Sequence, residues 1–504
     1  MSSTPTARIL QVGAEIYPLV KTGGLGDVLG ALPSALRRLG WDVRLLLPGY
    51  PALRQPLTDV KSVCRLGPAF GAASVQVLRG RLPGVDVPVY LIEAPSLYER
   101  PGNPYLDGSG QGWADNPQRF GLLGWVAAYL ALGDIDPAWR PQLVHGHDWH
   151  AGLASAFLAL HPLTACRSVF TVHNLAFHGL FPQALMPVLH LPESSFSSDG
   201  VEFHGEGSMI KAGLRYADAI TTVSPSYARE IQTPAFGCGL EGVITQRRAQ
   251  LHGILNGVDY AVWNSATDPR LEAHFDARHL DRKAAAKAKL QRQLGLRVDP
   301  GAMLIGVVSR LTPQKGIDLL LEVLPSLLAD SVQLALLGSG DADLEAACRA
   351  LAAAAPGQAV ARFDYDETLA HRIIAGADVI AVPSRFEPCG LTQLYGLRYG
   401  SLPLVHRVGG LADTVVDADD KALAADTATG FVFDAPTTKA LEQAARRALA
   451  LYRQPDRWRQ LMRRAMAQDF SWDGAAVAYA DLYCRVLAAE PGGRRTVAPK
   501  TPTP

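Results

Sequence analysis

The sequence predicts an α/β protein built from two Rossmann-like, doubly wound domains, and three observations carry that prediction. The chain has 504 residues, whereas single hydrophobic cores stop growing near ~250–300 residues. Short apolar, β-branched runs alternate with longer helical patterns, as βαβ units and parallel sheets require. This alternation occurs in two series, with a turn signal, Asn256-Gly257-Val258-Asp259, between them.

In the first series strands are predicted at 9–12, 42–47, 87–92, 143–145, 168–172 and 219–223, with helices at 26–39, 117–132, 151–160 and 225–231. A charged, Ala/Lys-rich stretch at 281–294 reads as a surface helix opening the second domain. Strands then follow at 303–308, 332–337, 359–363, 379–382, 404–406 and 431–433, and helices at 317–328, 343–354, 367–375 and 391–399. The domains expected are therefore 1–258 and 259–471, with an amphipathic helix at about 472–488 packing back on the first. Residues 489–504, rich in Pro and Gly, are expected to be disordered. Each doubly wound domain places its site at the C-terminal ends of its strands, so two facing domains predict an interdomain cleft.

Composition excludes several classes. Lys+Arg and Asp+Glu balance at 48 each, which leaves no global field to recruit nucleic acid or an anionic membrane. The longest apolar run, 121–133, is too short for a span that takes about 20 residues. The six cysteines, Cys64, Cys166, Cys238, Cys348, Cys389 and Cys484, form no C-x-x-C pair. They point to a reducing compartment and to small core residues, Cys389 excepted. No basic segment followed by an apolar one opens the chain, so a soluble, cytoplasmic protein is expected.

Four strand-end segments carry the chemistry. After the first strand, Lys21-Thr22-Gly23-Gly24-Leu25-Gly26-Asp27 leads into a helix. Its glycines allow close backbone approach, and free N–H groups of a first helical turn favour an anion. A plain turn with a surface lysine is the alternative, and neither G-x-G-x-x-G nor a Walker loop matches. His145-Gly146-His147-Asp148-Trp149-His150 follows another strand. Without a completing cysteine or glutamate it predicts a polyol-contacting cluster rather than zinc. His173, in Thr171-Val172-His173-Asn174-Leu175, also stands at a strand end.

In the second domain, Arg310 and Lys315 are five apart on the loop Ser309 to Gly316 ahead of a helix. Two cations there can bind a diphosphate and offset charge as it leaves; a structural ion pair is the alternative. The segment Ser384-Arg385-Phe386-Glu387-Pro388-Cys389-Gly390-Leu391-Thr392-Gln393 is the most informative. Its glycine and helix start suit a phosphate, and Glu387 suits a sugar hydroxyl. D-x-D tripeptides start at Asp134, Asp341, Asp364 and Asp417; four copies specify little. Asp341 reads as a helix cap, and no metal site is assigned.

Taken in order, these segments and Glu387 to Gly400 resemble the glycogen/starch synthase family of glycosyltransferases over nearly the whole chain, from 9 to about 487. The resemblance implies a GT-B fold and transfer of glucose from ADP-glucose to the non-reducing 4-OH of an α-1,4-glucan, with retention and without a metal cofactor. It further implies that Lys21, Gly24 and Asp27 serve the donor side of the first domain. Arg310 and Lys315 stabilise the departing diphosphate, Glu387 holds the region of the glucosyl 3-OH, and Gly390, Leu391 and Thr392 offer backbone N–H groups. His173 lines the glucosyl pocket, Asp148 and Asn256 the neighbouring cleft, and Cys389 lies against the sugar. Gly26 departs from the family's usual alanine and loosens the helix start. Tyr395 stands where broader retaining GT-B enzymes carry a second glutamate. The absence of a transit-like extension favours the bacterial over the plant branch. Two other readings stay open: a UDP-glucose-dependent GT-B transferase with a small acceptor, and a catalytically silent glycan-binding protein.

Overall fold

A computed structural model describes residues 7–162, 165–364 and 366–489. The tail predicted to be disordered lies, from residue 490 on, outside them, as do the first six residues. The chain divides into two compact units, one running to Gly257 and resuming at Trp472, the other Val258–Ser471.

Unit 1 contains strands β1 (Arg8–Val12), β2 (Asp42–Pro48), β3 (Thr58–Leu66), β4 (Val75–Arg81), β5 (Val89–Glu93), β6 (Leu143–His147), β7 (Arg167–Val172), β8 (Leu180–Pro182), β9 (Glu202–Phe203), β10 (Glu206–Ser208), β11 (Ala219–Thr222) and β12 (Leu251–Gly253). Nine of them form one sheet in the order β12-β11-β7-β6-β1-β2-β5-β4-β3. β1, β2, β5, β6, β7, β11 and β12 are parallel, and β1, as the central member, is buried along both faces from Ile9 to Val12. Chain order runs from β1 to β2 on one side and crosses to β6 on the other. Such a reversal opens a crevice beyond the carboxyl ends of the two flanking strands.

The sequence reading missed β3 and β4, which pair antiparallel and extend the sheet edge. Their pattern is masked because β3 is an exposed edge strand carrying Lys61 and Arg65, charges that suit an edge and blur the alternation of apolar residues. The helix Gly24–Arg38 starts two residues before the predicted position; Asp27 lies in its first turn and Arg37 and Arg38 in its last, each sign complementing the helix dipole. The C-terminal helix Trp472–Ala488 buries Trp472, Ala476, Tyr479, Leu482, Tyr483 and Val486 in the same core as Ile9, Leu29 and Leu36. Truncating a buried leucine such as Leu482 to alanine costs about 2–5 kcal/mol.

Unit 2 contains β13 (Met303–Val308), β14 (Val332–Leu337), β15 (Ala359–Arg362), β16 (Val379–Val382), β17 (Leu402–His406) and β18 (Phe431–Phe433). They form a parallel sheet in the order β15-β14-β13-β16-β17-β18. Here the reversal falls between β13 and β16. The surface helix Asp281–Leu294 carries two buried lysines: Lys283 donates to Ala375 O at 2.7 Å and to Ser401 Oγ at 2.6 Å, and Lys287 pairs with Asp378 at 2.7 Å. The helices Gly409–Thr414, Asp420–Ala424, Thr438–Tyr452 and Pro455–Met466, unread in the sequence, belong to the same unit.

Of the six cysteines, Cys166, Cys348 and Cys389 are buried and Cys64 is half-buried, but Cys238 and Cys484 are exposed. Cys238 sits in a turn with φ +51, and Cys484 lies on the outer face of the C-terminal helix, between the buried Tyr483 and Val486.

Candidate active site

Both reversal points carry the predicted segments. In unit 1 the loop after β1 is organised by Glu15, 2% exposed. Its carboxylate accepts from Thr22 N at 2.7 Å, Gly23 N at 3.2 Å and Thr22 Oγ1 at 2.6 Å, and from Tyr105 OH. This corrects the expected phosphate cradle in part: the N–H groups of Thr22 and Gly23, just ahead of the helix, already hold an internal carboxylate. Lys21 is not loose either, because its Nζ lies 2.8 Å from Asp27 Oδ1. Gly26 stands beneath it, where an added Cβ would lie 3.3 Å from Lys21 Cβ and Cγ.

The end of β6 sits beside that loop. Asp148 adopts φ +62 and ψ −178, a region populated almost only by glycine and costing of order 1–3 kcal/mol. Its N–H bonds to Thr171 O at 2.8 Å, its C=O accepts from Ala151 N at 3.0 Å, and its side chain accepts from Trp149 N at 2.9 Å, which together impose the geometry. Burial pushes the Asp148 carboxyl up to about 8, the Glu15 charge adds to the rise, and N–H donors from Trp149 and Asn174 oppose it. Tyr105 stacks on His150 at 4.6 Å between centroids and lies 6.1 Å from Trp149.

His173 Nε2 lies 3.0 Å from His147 Nδ1, and burial holds His173 down to about 3 and His147 well below the usual histidine range. Both imidazoles are therefore neutral near pH 7. Asn256 follows β12; its Oδ1 is buried without a hydrogen-bond partner among the described residues, and no bond joins it to the residues at β1 and β6. Gly257, next to it, packs so closely on Trp472 that a Cβ would lie 2.6 Å from that residue's Cα.

In unit 2, the loops after β13 and β16 are tied together. Arg385 N donates to Gln314 O at 2.8 Å and Gln314 Nε2 to Phe386 O at 3.1 Å, while Arg385 grips Asp318 with bonds of 2.7 and 2.5 Å. Gly316 has φ +64, and a Cβ there would stand 2.1 Å from Pro383 O. The lock delivers Lys315 Nζ to 2.5 Å from Glu387 Oε2, which also accepts from Ser384 Oγ at 3.0 Å. These two side chains are only 17% and 8% exposed. Glu387 Oε1 has no protein donor among the described residues, and neither does Arg310, which is exposed, have an ion-pair partner there.

Gly390 has φ +71 and precedes the helix Thr392–Arg398; the N–H groups of Gly390, Leu391 and Thr392 find no acceptor among the described residues. Cys389 is buried against the turn at 4% exposure. The sequence reading missed two supports. Gly409, at φ +46, lies so close to Glu387 that a Cβ would meet its carbonyl oxygen at 1.9 Å, and Gly410 N donates to that oxygen at 3.1 Å. His406 Nδ1 bonds to Ser384 O at 2.9 Å. The adjacent glycines Gly409-Gly410 at a strand end were the available signal.

The acidic tripeptides have other partners. Asp341 caps the helix Ala342–Ala354 by accepting from Asp343 N and Leu344 N, Asp417 pairs with Arg447 at 3.0 Å, and Asp136 accepts from Tyr90 OH at 2.6 Å. Among the described residues no group of three or more His, Cys, Asp or Glu side chains is placed to hold a metal ion, and no helix is long and apolar enough to cross a membrane.

Comparison with known proteins agrees with this layout. Residues 8–246 match the family model described as the starch synthase catalytic domain, and residues 291–464 that of glycosyl transferases group 1. A glycogen synthase of Serratia proteamaculans is 54% identical over 483 residues, covering 95% of this chain and all of the relative. One from Paramagnetospirillum magneticum is 49% identical over 489 residues, covering 97% of this chain and 99% of the relative. Among solved structures, the catalytic domain of starch synthase IV from Arabidopsis thaliana, bound to ADP and acarbose, superposes with TM-score 0.87 at 30% identity, covering 96% of this chain and 100% of that one. Sucrose-phosphate synthase from Thermosynechococcus elongatus, at 18% identity and TM-score 0.60 over 96% of this chain and 100% of that one, shares the fold.

Proposed function

The chain belongs to the glycogen synthase family, with the GT-B fold, and is a glucosyltransferase that elongates glycogen; within that activity we propose the donor, the acceptor position and the residue roles that follow. The donor is ADP-glucose, and glucose passes with retention to the non-reducing 4-OH of an α-1,4-glucan. The ligands of the starch synthase neighbour, ADP and acarbose, support a nucleoside diphosphate and a glucan as substrate classes.

The observation that carries the assignment is the pair Lys315–Glu387 at 2.5 Å, on a loop whose exposed Arg310 has no ion-pair partner among the described residues. Arg310 and Lys315 take the leaving diphosphate, whose negative charge grows as the glycosidic bond breaks; cations aimed at developing charge stabilise the transition state more than the ground state. As Lys315 turns to phosphate, Glu387 is released to accept from the glucosyl 3-OH. The N–H groups of Gly390, Leu391 and Thr392 donate to the same anion, and Cys389 lines the sugar side. In unit 1, His173 and Asp148 contact the glucosyl group and acceptor as neutral hydrogen-bonding groups, with Asn256 offering its unpartnered Oδ1. Lys21 and Gly24 contact the donor's phosphates when Lys21 leaves Asp27.

A diphosphate held this way needs no divalent ion, and its own oxygen can take the acceptor's proton on the same face, which gives retention. No metal cofactor, nucleic acid or membrane partner enters the proposal, and the scattered cysteines favour a cytoplasmic site of action. Initial rates with ADP-glucose and UDP-glucose, side by side on glycogen, test the donor: faster transfer from UDP-glucose would reject it. EDTA is expected to leave the rate unchanged; inhibition reversed by Mg²⁺ would overturn the metal-free mechanism.

A further inference from the structure

Behind His173 runs a chain of polar side chains through an otherwise apolar core. His147 Nε2 lies 2.5 Å from Gln11 Oε1, and Gln11 Nε2 lies 2.9 Å from Tyr483 OH on the C-terminal helix. Tyr483 OH reaches His145 Nδ1 at 2.7 Å, and His145 Nε2 reaches Thr171 Oγ1 at 2.6 Å; Thr171 Oγ1 in turn meets Thr221 Oγ1. Gln11, His145, His147, Thr171, Thr221 and Tyr483 are all fully buried. Polar groups in such a setting are costly unless every bond is made, and here the bonds form one continuous file.

The file couples the protons of its members, and their direction follows the orientation of the Gln11 amide. With Gln11 Oε1 toward His147, His147 Nε2 must donate. A neutral imidazole has one N–H, so His147 Nδ1 accepts and His173 Nε2 must donate to it. His173 is then left with a bare Nδ1, which has no protein partner among the described residues. In the other direction Gln11 Nε2 donates to Tyr483, whose single hydroxyl proton goes to His145 Nδ1, and His145 Nε2 donates onward to Thr171. Reversing the Gln11 amide would reverse every bond together, so the His173 tautomer is not set locally. It is set by Gln11 and by a tyrosine 472 residues away in sequence.

We propose that Gln11 and Tyr483 are positioning residues of the transfer reaction, which hold His173 through His147 in its Nε2–H form and so present Nδ1 as an acceptor to a hydroxyl of the transferred sugar. The proposal rests on the placement of His173 in the glucosyl pocket. It makes the docked C-terminal helix part of the active site without contact to substrate. A wrong tautomer would set a donor N–H where the sugar's own O–H points, and would weaken the transition state without weakening capture of the diphosphate.

The test compares the wild type with Tyr483→Phe, Gln11→Met, Gln11→Glu and His173→Ala, each checked for cooperative melting. Tyr483→Phe and Gln11→Met should lower kcat about tenfold or more, the usual effect of removing a group that orients a reacting residue, with the KM for ADP-glucose within about twofold. Gln11→Glu, whose carboxylate still accepts from His147 Nε2, should keep more activity than Gln11→Met. Imidazole ¹⁵N shifts in the wild type should show His173 protonated at Nε2, a readout that needs no variant to fold. A wild-type His173 protonated at Nδ1 overturns the proposal, as do folded Tyr483→Phe and Gln11→Met proteins with wild-type kcat while His173→Ala is inactive. Full activity of His173→Ala would instead reject the placement of His173 itself.

Discussion

The two sheets present their reversal points in opposite chemical styles. In unit 1 the groups at the ends of β6 and β7 are buried and neutral near pH 7, His147 and His173 held uncharged and Asp148 raised to about 8, while at the end of β1 Glu15 is enclosed by four donors and Lys21 is already paired with Asp27. In unit 2 the groups after β13 and β16 are ionic: Lys315 on Glu387, Arg385 on Asp318 and Arg310 exposed. Uncharged, preorganised groups suit sugar hydroxyls, whose recognition depends on direction. Cations with a movable partner suit a diphosphate, whose charge changes along the reaction. The difference teaches that the same topological device can be tuned to either ligand by what fills its loops.

The contrast breaks most severely at Lys315. Lys315→Ala removes the cation and leaves Glu387 buried without it, and kcat should fall by roughly 10²–10³-fold, as on loss of one preorganised charge-stabilising donor, with a smaller rise in the KM for ADP-glucose. Steady-state kinetics check this, and an unchanged kcat would remove Lys315 from the mechanism. Gly409→Ala attacks the support under the same pair, since a Cβ at φ +46 would stand 1.9 Å from Glu387 O. It is expected to destabilise the protein by about 1–3 kcal/mol, seen as a lower thermal midpoint with activity reduced in the folded fraction.

Asp148→Asn probes the neutral side. The folded carboxyl titrates near 8 against about 3.9 in the unfolded chain. Its stabilising contribution is therefore complete below pH 4 and lost progressively as pH rises to 8. The variant's thermal midpoint should accordingly gain on the wild type between pH 5 and pH 8, while transfer falls about ten- to hundredfold, as expected for one hydrogen bond to substrate. A pH-independent difference in midpoint would show that Asp148 is ionised in the folded protein. The smallest effect is expected at Gly26→Ala. Helix propensity favours alanine by about 0.5–1 kcal/mol, but the new methyl would press on the Lys21 stem at 3.3 Å, so stability should change by less than that and the KM for donor should shift by no more than about twofold.

How far the sequence revealed this follows from where each contact comes from. The loops after β1, β6, β13 and β16 were legible because each is a short strand end carrying polar and glycine residues ahead of a helix. Gly316 and Gly390 were legible as loop glycines ahead of a helix, and both adopt positive φ. Asp148 was legible as a polar residue but not as a strained one, because nothing in His-Asp-Trp-His signals a backbone conformation that three hydrogen bonds impose. The Lys21 loop was misread in part because its internal anion, Glu15, sits in the preceding turn and looked like connecting chain. Gln11 read as an ordinary strand residue and Tyr483 as a helix core residue; their bond crosses 472 positions, a separation no periodicity records.

The central claim is that Arg310 and Lys315 carry most of the grip on the diphosphate while His173 serves the sugar, and equilibrium binding of ADP tests it most directly. Lys315→Ala should weaken ADP by at least about tenfold, the scale of one charge-assisted contact, while His173→Ala binds ADP within about twofold of wild type. Loss of ADP affinity in His173→Ala, with none in Lys315→Ala, would contradict the account.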